Sequence, residues 1–454
     1  MTYRTRTILF LSLLVLFLIV ATLTVFYSLG WRFDWKTKKI TQPGIFYFKV
    51  WPKSVQIYLD NELKEKTDFF FGSTLVENLL SGEYKVEIKK EGFHTWEKTL
   101  EIRKRKVTEA KNIILIPENP NFTIITNEVN DFFFSPDEKK IILKSPDWSL
   151  KLFEIDNNVK SHLIDEGDIS KSEVQLFDLK FSHDSSKVLL ELGFKEKVSY
   201  YLLDIDKSPA VLSSLDFLDS PEKLYFLPKD SQKLLALKEK KISEVNLSTK
   251  EISSPILENI NTLTIFHNDI YYLDDSGFIF KNNLSFNQEE KLNIIPFSIK
   301  EKARYEITVF NSYLSLQEND ALYIFDRDKK SFEKFFELIK DFKFSYNPQK
   351  IAYFNNYEIW VLFLEKKYEQ PQKEAKEKLF ITRFSEKIDD LFWYTNHYLI
   401  FNAGDKIKVA EIDDRDRINI VDLAEFKEPK IFWSNKKLYI LSEENLYVSE
   451  ELTP

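Results

Sequence analysis

Asp131-Phe-Phe-Phe-Ser-Pro-Asp-Glu-Lys-Lys-Ile-Ile-Leu143 reads as an apolar strand, a tight polar turn and a second apolar strand. The pattern returns as Asp178-Leu-Lys-Phe-Ser-His-Asp-Ser-Ser-Lys-Val-Leu-Leu190 and as Asp341-Phe-Lys-Phe-Ser-Tyr-Asn-Pro-Gln-Lys-Ile-Ala-Tyr353. Weaker copies centre on Phe226, Phe266, Phe310, Trp393 and Trp433. With Phe134, Phe181 and Phe344 these anchoring aromatics follow one another at intervals of 34 to 49 residues. A repeat of that length made of short strands points to a β-propeller, in which no single sheet can bury its faces alone and copies stack about an axis. The expected fold class is all-β with eight blades, or seven if the weak Phe310 copy merges with a neighbour.

The last copy supplies only three strands, at 430–433, 437–441 and 445–449. A spare strand, Asn121-Phe-Thr-Ile-Ile-Thr126, precedes the first copy. Set beside residues 445–449 it closes the ring, and closure removes a sheet edge that would otherwise invite aggregation. In the sixth copy the segment 365–378 is rich in Lys, Glu and Gln. It is too polar to bury much surface and is expected to be a mobile loop.

Residues 8–29 carry no charge. As a helix they reach roughly 33 Å at about 1.5 Å per residue, enough for a bilayer core. Ser12, Thr22, Thr24 and Ser28 can return their hydroxyls to the helix backbone, and Tyr27, Trp31 and Trp35 stand where an interfacial aromatic belt belongs. A cleaved signal peptide would have an apolar core of about 7–15 residues ending in small side chains. This run is longer and ends in Tyr27-Ser-Leu-Gly-Trp31, which favours an uncleaved anchor. Arg4 and Arg6 flank one end; Arg32, Lys36, Lys38 and Lys39 flank the other. Charge alone would keep the body in the cytoplasm, whereas long domains after a lone amino-terminal span commonly translocate. The organisation expected is a tail at 1–7, a transmembrane helix at 8–29, a juxtamembrane linker at 30–43, a small β-sandwich at 44–117 and the propeller at 121–454.

The net charge of −8 divides into +5 over the first forty residues and −13 over the rest. An acidic body repels phosphate backbones, so no nucleic acid partner is expected. There is no cysteine, which excludes disulfides, thiolate catalysis and Cys-ligated zinc.

Between Gly44 and Pro117 the chain alternates with period two. Val55, Ile57 and Leu59 share one face, as do Tyr84, Val86 and Ile88. Three blocks here, Trp51-Pro-Lys-Ser-Val-Gln-Ile-Tyr-Leu-Asp60, Leu79-Leu-Ser-Gly-Glu-Tyr-Lys-Val-Glu-Ile88 and Lys90-Glu-Gly-Phe-His-Thr-Trp96, resemble the PEGA domain of bacterial and archaeal surface proteins. The resemblance implies a non-catalytic sandwich between a membrane anchor and a larger domain, with the body extracytoplasmic. The turns Ser135-Pro-Asp137 and Ser182-His-Asp184 resemble those of TolB-like and WD-type propellers, with Glu138 and Ser185 standing where those families carry glycine. Propellers of those families mostly bind proteins or peptides, and some are parts of enzymes, so that resemblance implies the fold more closely than the function. Arg103-Lys-Arg-Lys106 reads either as a contact for anionic headgroups or an acidic envelope polymer, or as a solvated linker.

No phosphate loop, nucleophile elbow or pair of histidines at metal-ligand spacing is present, so no catalytic residue, metal or cofactor is expected. Asp131, Asp178, Asp341 and Asp390 each lie three residues before the anchoring aromatic of their copy. On one level around an axis they could line the channel mouth and hold a cation or a cationic ligand. Lys223 and Lys430 occupy the same slot in two other copies, which points instead to mutual pairing. The function expected is a non-catalytic, single-pass envelope protein whose propeller binds or scaffolds a protein, peptide or glycan. The alternative is an envelope hydrolase or lyase with a carboxylate or metal site in the channel.

Overall fold

The structure, a computed structural model, describes residues 3–34, 38–169, 174–194 and 197–453. Trp35 and Lys36 lie outside the described residues, as do the side chains of Arg4 and Lys39.

Tyr3–Ser28 is one helix, and the most apolar 18-residue window within Thr5–Ser28 has a mean hydropathy of 3.0 with none of it buried against the protein. It is long and apolar enough to cross a membrane. Its hydroxyls turn inward: Ser12 donates to Leu9 O at 2.9 Å, Thr22 to Leu18 O and Thr24 to Val20 O at 2.8 Å, and Ser28 to Val25 O at 2.9 Å. That removes their polar cost in an apolar medium. A hairpin, Arg32–Asp34 with Lys39–Thr41, then folds the chain back. Gln42 Nε2 donates to Leu29 O at 3.4 Å, which holds the entry to the next unit against the helix end.

Two sheets follow. Ser73–Leu79, Gly44–Trp51 and Val107–Ile114 make one; Glu62–Lys66, Gln56–Leu59, Gly82–Lys89 and Trp96–Ile102 make the other. Alternate side chains of both point into a single core containing Phe46, Phe48, Ile57, Ile88 and Leu100. This is a small β-sandwich, as period two demands.

Residues 122–449 form eight four-stranded antiparallel sheets among the described residues. Sheets 1 to 7 are consecutive, at 131–164, 175–214, 223–252, 260–291, 305–336, 341–383 and 388–425. Sheet 8 takes three strands from 430–449 and its fourth from Phe122–Asn127. The register runs from Phe122 opposite Ser449 to Asn127 opposite Asn445, so the spare strand closes the ring where expected. Each pair of neighbouring sheets shares its own apolar seam. The seams run from sheets 1 and 2, around Leu190, to sheets 8 and 1, around Leu143 and Tyr439, which completes the circle. The first strands of sheets 4 and 5, 6 and 7, and 7 and 8 touch one another, which puts them at the hub. The fold is a β-propeller.

The anchoring aromatics work as expected in most sheets. Phe134, Phe181, Phe226, Phe344, Trp393 and Trp433 all pack on the preceding sheet. In sheets 4 and 5 that place is filled by Ile265 and Val309, so the anchors Phe266 and Phe310 stand one residue too late. Glu138 and Ser185 both adopt φ of +56°, the left-handed conformation that glycine would adopt without strain. Side chains support it: Ser135 Oγ and Ser182 Oγ each donate at 2.6 Å to the carboxylate two residues on.

The segment 365–378 is not the free loop its charge suggested. Lys373 is only 7% exposed and pairs with Asp414 at 2.6 Å and Glu377 at 2.7 Å, while Lys376 reaches Asp326 and Glu333 on sheet 5. Gln370 accepts from Glu109 N at 3.0 Å and donates to Val107 O at 3.1 Å. Charges matched across sheets 5 to 7 and the sandwich order it without an apolar core.

Nor does the sandwich hang free of the propeller. The sandwich is fixed to sheet 7 by Lys98, which is fully buried and pairs with Glu411 at 2.7 Å. Lys98 Nζ also donates to Asp413 O at 2.7 Å and Arg417 O at 2.6 Å, and Trp96 Nε1 donates to Glu411 at 2.8 Å. Around this core of the junction, Thr99 N–H meets Asp416 at 2.7 Å and Arg415 meets Glu109 O at 2.7 Å. A buried charge that loses its partner cannot be rehydrated without opening the junction. Lys98→Met is therefore expected to cost about 3–5 kcal/mol, with part of the loss recovered when Glu411→Met is added. Denaturant melts of the two variants check this, and equal loss in both would show that the pair contributes nothing beyond packing.

Candidate functional site

Two mouths of the hub are candidates. At the first, Asp131 and Asp341 open the inner strands of sheets 1 and 6, and Asp178 follows a bulge within the inner strand of sheet 2, Gln175–Phe181. Each carboxylate accepts the next residue's N–H, at 2.8, 2.8 and 2.7 Å for Phe132, Leu179 and Phe342. Each also meets a lysine: Asp131 pairs with Lys430, Asp178 with Lys180 at 2.9 Å, and Asp341 with Lys343 at 2.6 Å. Asp390 is more enclosed. Burial raises its carboxyl above the ordinary range, against the pull of Ile431 N–H at 3.1 Å and of Lys430. The four do not come within ligand range of one another. A cavity of about 770 Å³ lies here between sheets 5 and 6, lined by both signs of charge: Arg304, Glu306, Asp341 and Lys343.

Among the described residues, the group of side chains close enough to share a metal ion is His162, Asp165 and Asp168, all exposed. Asp165 and Asp168 there spend their carboxylates on capping a single helical turn.

The opposite mouth was not anticipated. Turns between first and second strands of sheets 6, 7, 8 and 1 converge on a recess of about 540 Å³. Phe344, Tyr346, Phe392, Trp393, Tyr394 and Trp433 line it, with Glu138, Lys343, Asn396 and Lys436. Further rings back two of the lining residues: Phe392 meets Phe432 at 5.4 Å, which stacks on Phe134 at 4.2 Å, and Phe344 stacks on Phe310 at 4.9 Å. Hydrogen bonds between sheets hold its rim. Tyr346 Oη donates to Trp393 O at 2.8 Å, Asn347 N–H to Asn396 Oδ1 at 2.9 Å, and Ser434 Oγ to Glu138 at 2.6 Å. Tyr346 nevertheless stays 60% exposed. Such a surface offers flat apolar faces, amides and single charges, which suits stacking and hydrogen bonding to a ligand. The signal for it was in the sequence as Phe392-Trp393-Tyr394 and Phe432-Trp433, where successive aromatics mean that both faces of a strand are used.

Behind the recess, Lys350 is 4% exposed and its ammonium donates to Asn347 Oδ1 at 3.2 Å. Burial, with the charge of Lys367 added, holds it down to about 8. Burial and the same two lysines hold His397 down to about 4.

No family model matches the chain, and no curated protein matches it. Solved structures similar to it include the computationally designed Ika8 protein, at 11% identity over 71% of this chain and 96% of that one, with a TM-score of 0.44. The WD40 domain of SCAP from fission yeast is 10% identical over 74% of this chain and 99% of that one, with a TM-score of 0.43. The Cps50 (Swd1) β-propeller domain of Myceliophteria thermophila is 12% identical over 73% and 99%, with a TM-score of 0.40. These values are too low to bring any property of those proteins to this chain.

His397 yields a test of this region. Its neutral form is favoured in the folded state, so its contribution is complete above 6.5 and is lost as pH falls toward about 4. The melting temperature of His397→Gln should therefore fall less than that of the wild type across that interval. Parallel curves would show that the imidazole is solvated.

Proposed function

We propose that the chain is a membrane-anchored, non-catalytic envelope protein whose propeller binds a protein or peptide at the aromatic recess. The carrying observation is the contrast between the two mouths. One pairs its carboxylates with lysines, whereas the other leaves a half-open aromatic surface whose rim is already held in place. A surface that needs no reordering keeps more of its contact energy as affinity. Exposed Tyr346 supplies the amphipathic ring that anchors such interfaces, with half-buried Phe344 and Phe392 beside it.

The apolar helix supports the anchoring, and the three sequence blocks between residues 51 and 96 support a PEGA-like reading of the sandwich. In that reading the body is extracytoplasmic. The absence of cysteine makes orientation simple to measure. A single Cys at exposed Asp219 should react with a membrane-impermeant maleimide in intact cells. Reaction only after permeabilisation would put the body in the cytoplasm.

For the binding site, a photoreactive residue at position 346 of the full chain in its own membranes should give discrete crosslinked species. The same residue at exposed position 250, on the rim of sheet 3, should not. Equal crosslinking from both positions, or none from 346, would remove the recess as the binding surface.

A further inference from the structure

The loop Asp68–Ser73 presents three consecutive phenylalanines to solvent. Phe69, Phe70 and Phe71 are 74, 75 and 76% exposed. Phe69 and Phe70 meet edge to face at 5.7 Å, so the rings form a single apolar tip. The tip is rigid. Asp68 Oδ1 accepts N–H from Phe70 at 2.8 Å and Phe71 at 2.5 Å, and Oδ2 accepts from Ser73 N at 2.8 Å. These bonds hold its carboxyl down to about 2. Gly72 seats the base: at φ +66° its Cα lies so close to Val50 O that a Cβ would come within 2.5 Å. A stiff loop that spends its polar groups inward and its rings outward is shaped to meet something apolar.

The place of the tip identifies what that is. It joins Glu62–Lys66 to Ser73–Leu79, which are edge strands of the two sheets of the sandwich. The opposite edges, Trp96–Ile102 and Val107–Ile114, are those bonded to the propeller. Leu63 and Leu75, 50 and 47% exposed, extend the apolar surface along the free side. The sandwich also begins at the helix end, since Gln42 bonds Leu29 O only two residues before Gly44. If the helix spans a bilayer, the Gly44 end of the sandwich stands at headgroup level; with Gly44–Trp51 laid along the membrane, the propeller edge faces away and the phenylalanine tip, at the Trp51 end, faces the lipid.

We propose that Phe69–Phe71 enter the lipid interface, making a second membrane contact one strand length away from the helix, at the Trp51 end of Gly44–Trp51. The sandwich then rests on its Glu62–Lys66 and Ser73–Leu79 edge with the propeller carried on its far side. Aromatic rings favour that depth, and the charges on the edge strand alternate in sign, Glu62, Lys64, Glu65 and Lys66, so the contact rests on the rings rather than on anionic lipid. The proposal depends on the anchoring proposed above.

The absence of cysteine permits a direct test in the full chain. Single Cys variants Val15→Cys, Phe70→Cys and Asp219→Cys, each carrying an environment-sensitive fluorophore, are reconstituted in phosphatidylcholine–phosphatidylglycerol vesicles. Quenching by acyl-chain spin labels is compared with quenching by iodide. Labels at 15 and 70 should lose most of their emission to the lipid quencher and the label at 219 only to iodide. Adding Phe69→Ser and Phe71→Ser should return the label at 70 to iodide. If 15 is quenched from lipid and 70 only from water, the tip does not insert while the anchor stands. If neither is quenched from lipid, the anchor reading fails and this inference with it. A label at 70 hidden from both quenchers would mean that protein covers the tip, and would overturn a lipid contact. Position 70 is too exposed for these substitutions to disturb the core.

Discussion

Everything in the propeller depends on the pairing of Phe122–Asn127 with Asn445–Ser449. Seven of the eight sheets are made from consecutive strands and could form in any open stack. Only sheet 8 joins distant parts of the chain, and only that junction turns a stack into a ring. With it in place Asn445–Ser449 is an interior strand and the seam around Leu143, Tyr439 and Leu446 is complete. Without it two sheet faces and one strand edge would be open, which is the condition sheet proteins avoid. The same strand is the first element after the sandwich, so closing the ring also draws the sandwich onto it.

The second constraint is electrostatic. Lys98 and Glu411 lie in a place where neither could keep its charge alone, and they are surrounded by carbonyls, an indole N–H and an amide that satisfy the rest of their bonding capacity. A buried pair of this kind contributes little net energy compared with an apolar pair. What it supplies is register, because a small slip of the sandwich along sheet 7 would leave both charges unmatched. Segment 365–378 repeats the logic on a larger scale, with lysines on one loop answering acids on sheets 5 and 7.

These two constraints differ in how far the sequence discloses them. Closure was legible because it is a counting problem: three strands at the end, one spare before the start, and a period that leaves one place empty. The anchors were legible where a serine-bounded turn follows, as at Phe134 and Phe344. They slipped by one at Phe266 and Phe310, where the hairpins are tighter and an aliphatic residue takes the core position. The junction was not legible. Lys98 alternates with Trp96 and Leu100 and faces the core side of its strand, but nothing local says that an acid more than three hundred residues away will meet it. Charge content misled in the same way at 365–378, since composition counts charges and cannot count their partners. The aspartates were read in both senses, and of their lysine partners only Lys430 came from the slot that had suggested pairing, while Lys180 and Lys343 lie two residues further along the same strands.

Registration also governs the recess. Its rim is made by turns of sheets 6, 7, 8 and 1, which span the closure, and its floor shares Tyr394 and Trp433 with the seam that holds Ile114 and Ile116 from the sandwich side. Tyr398, on the same seam, accepts Ile114 N–H at 3.1 Å. The aromatic surface is therefore continuous with the junction and not an isolated dimple in one sheet. Tyr394 and Trp433, whose rings lie 4.7 Å apart, thus belong both to the recess and to the seam that meets the sandwich.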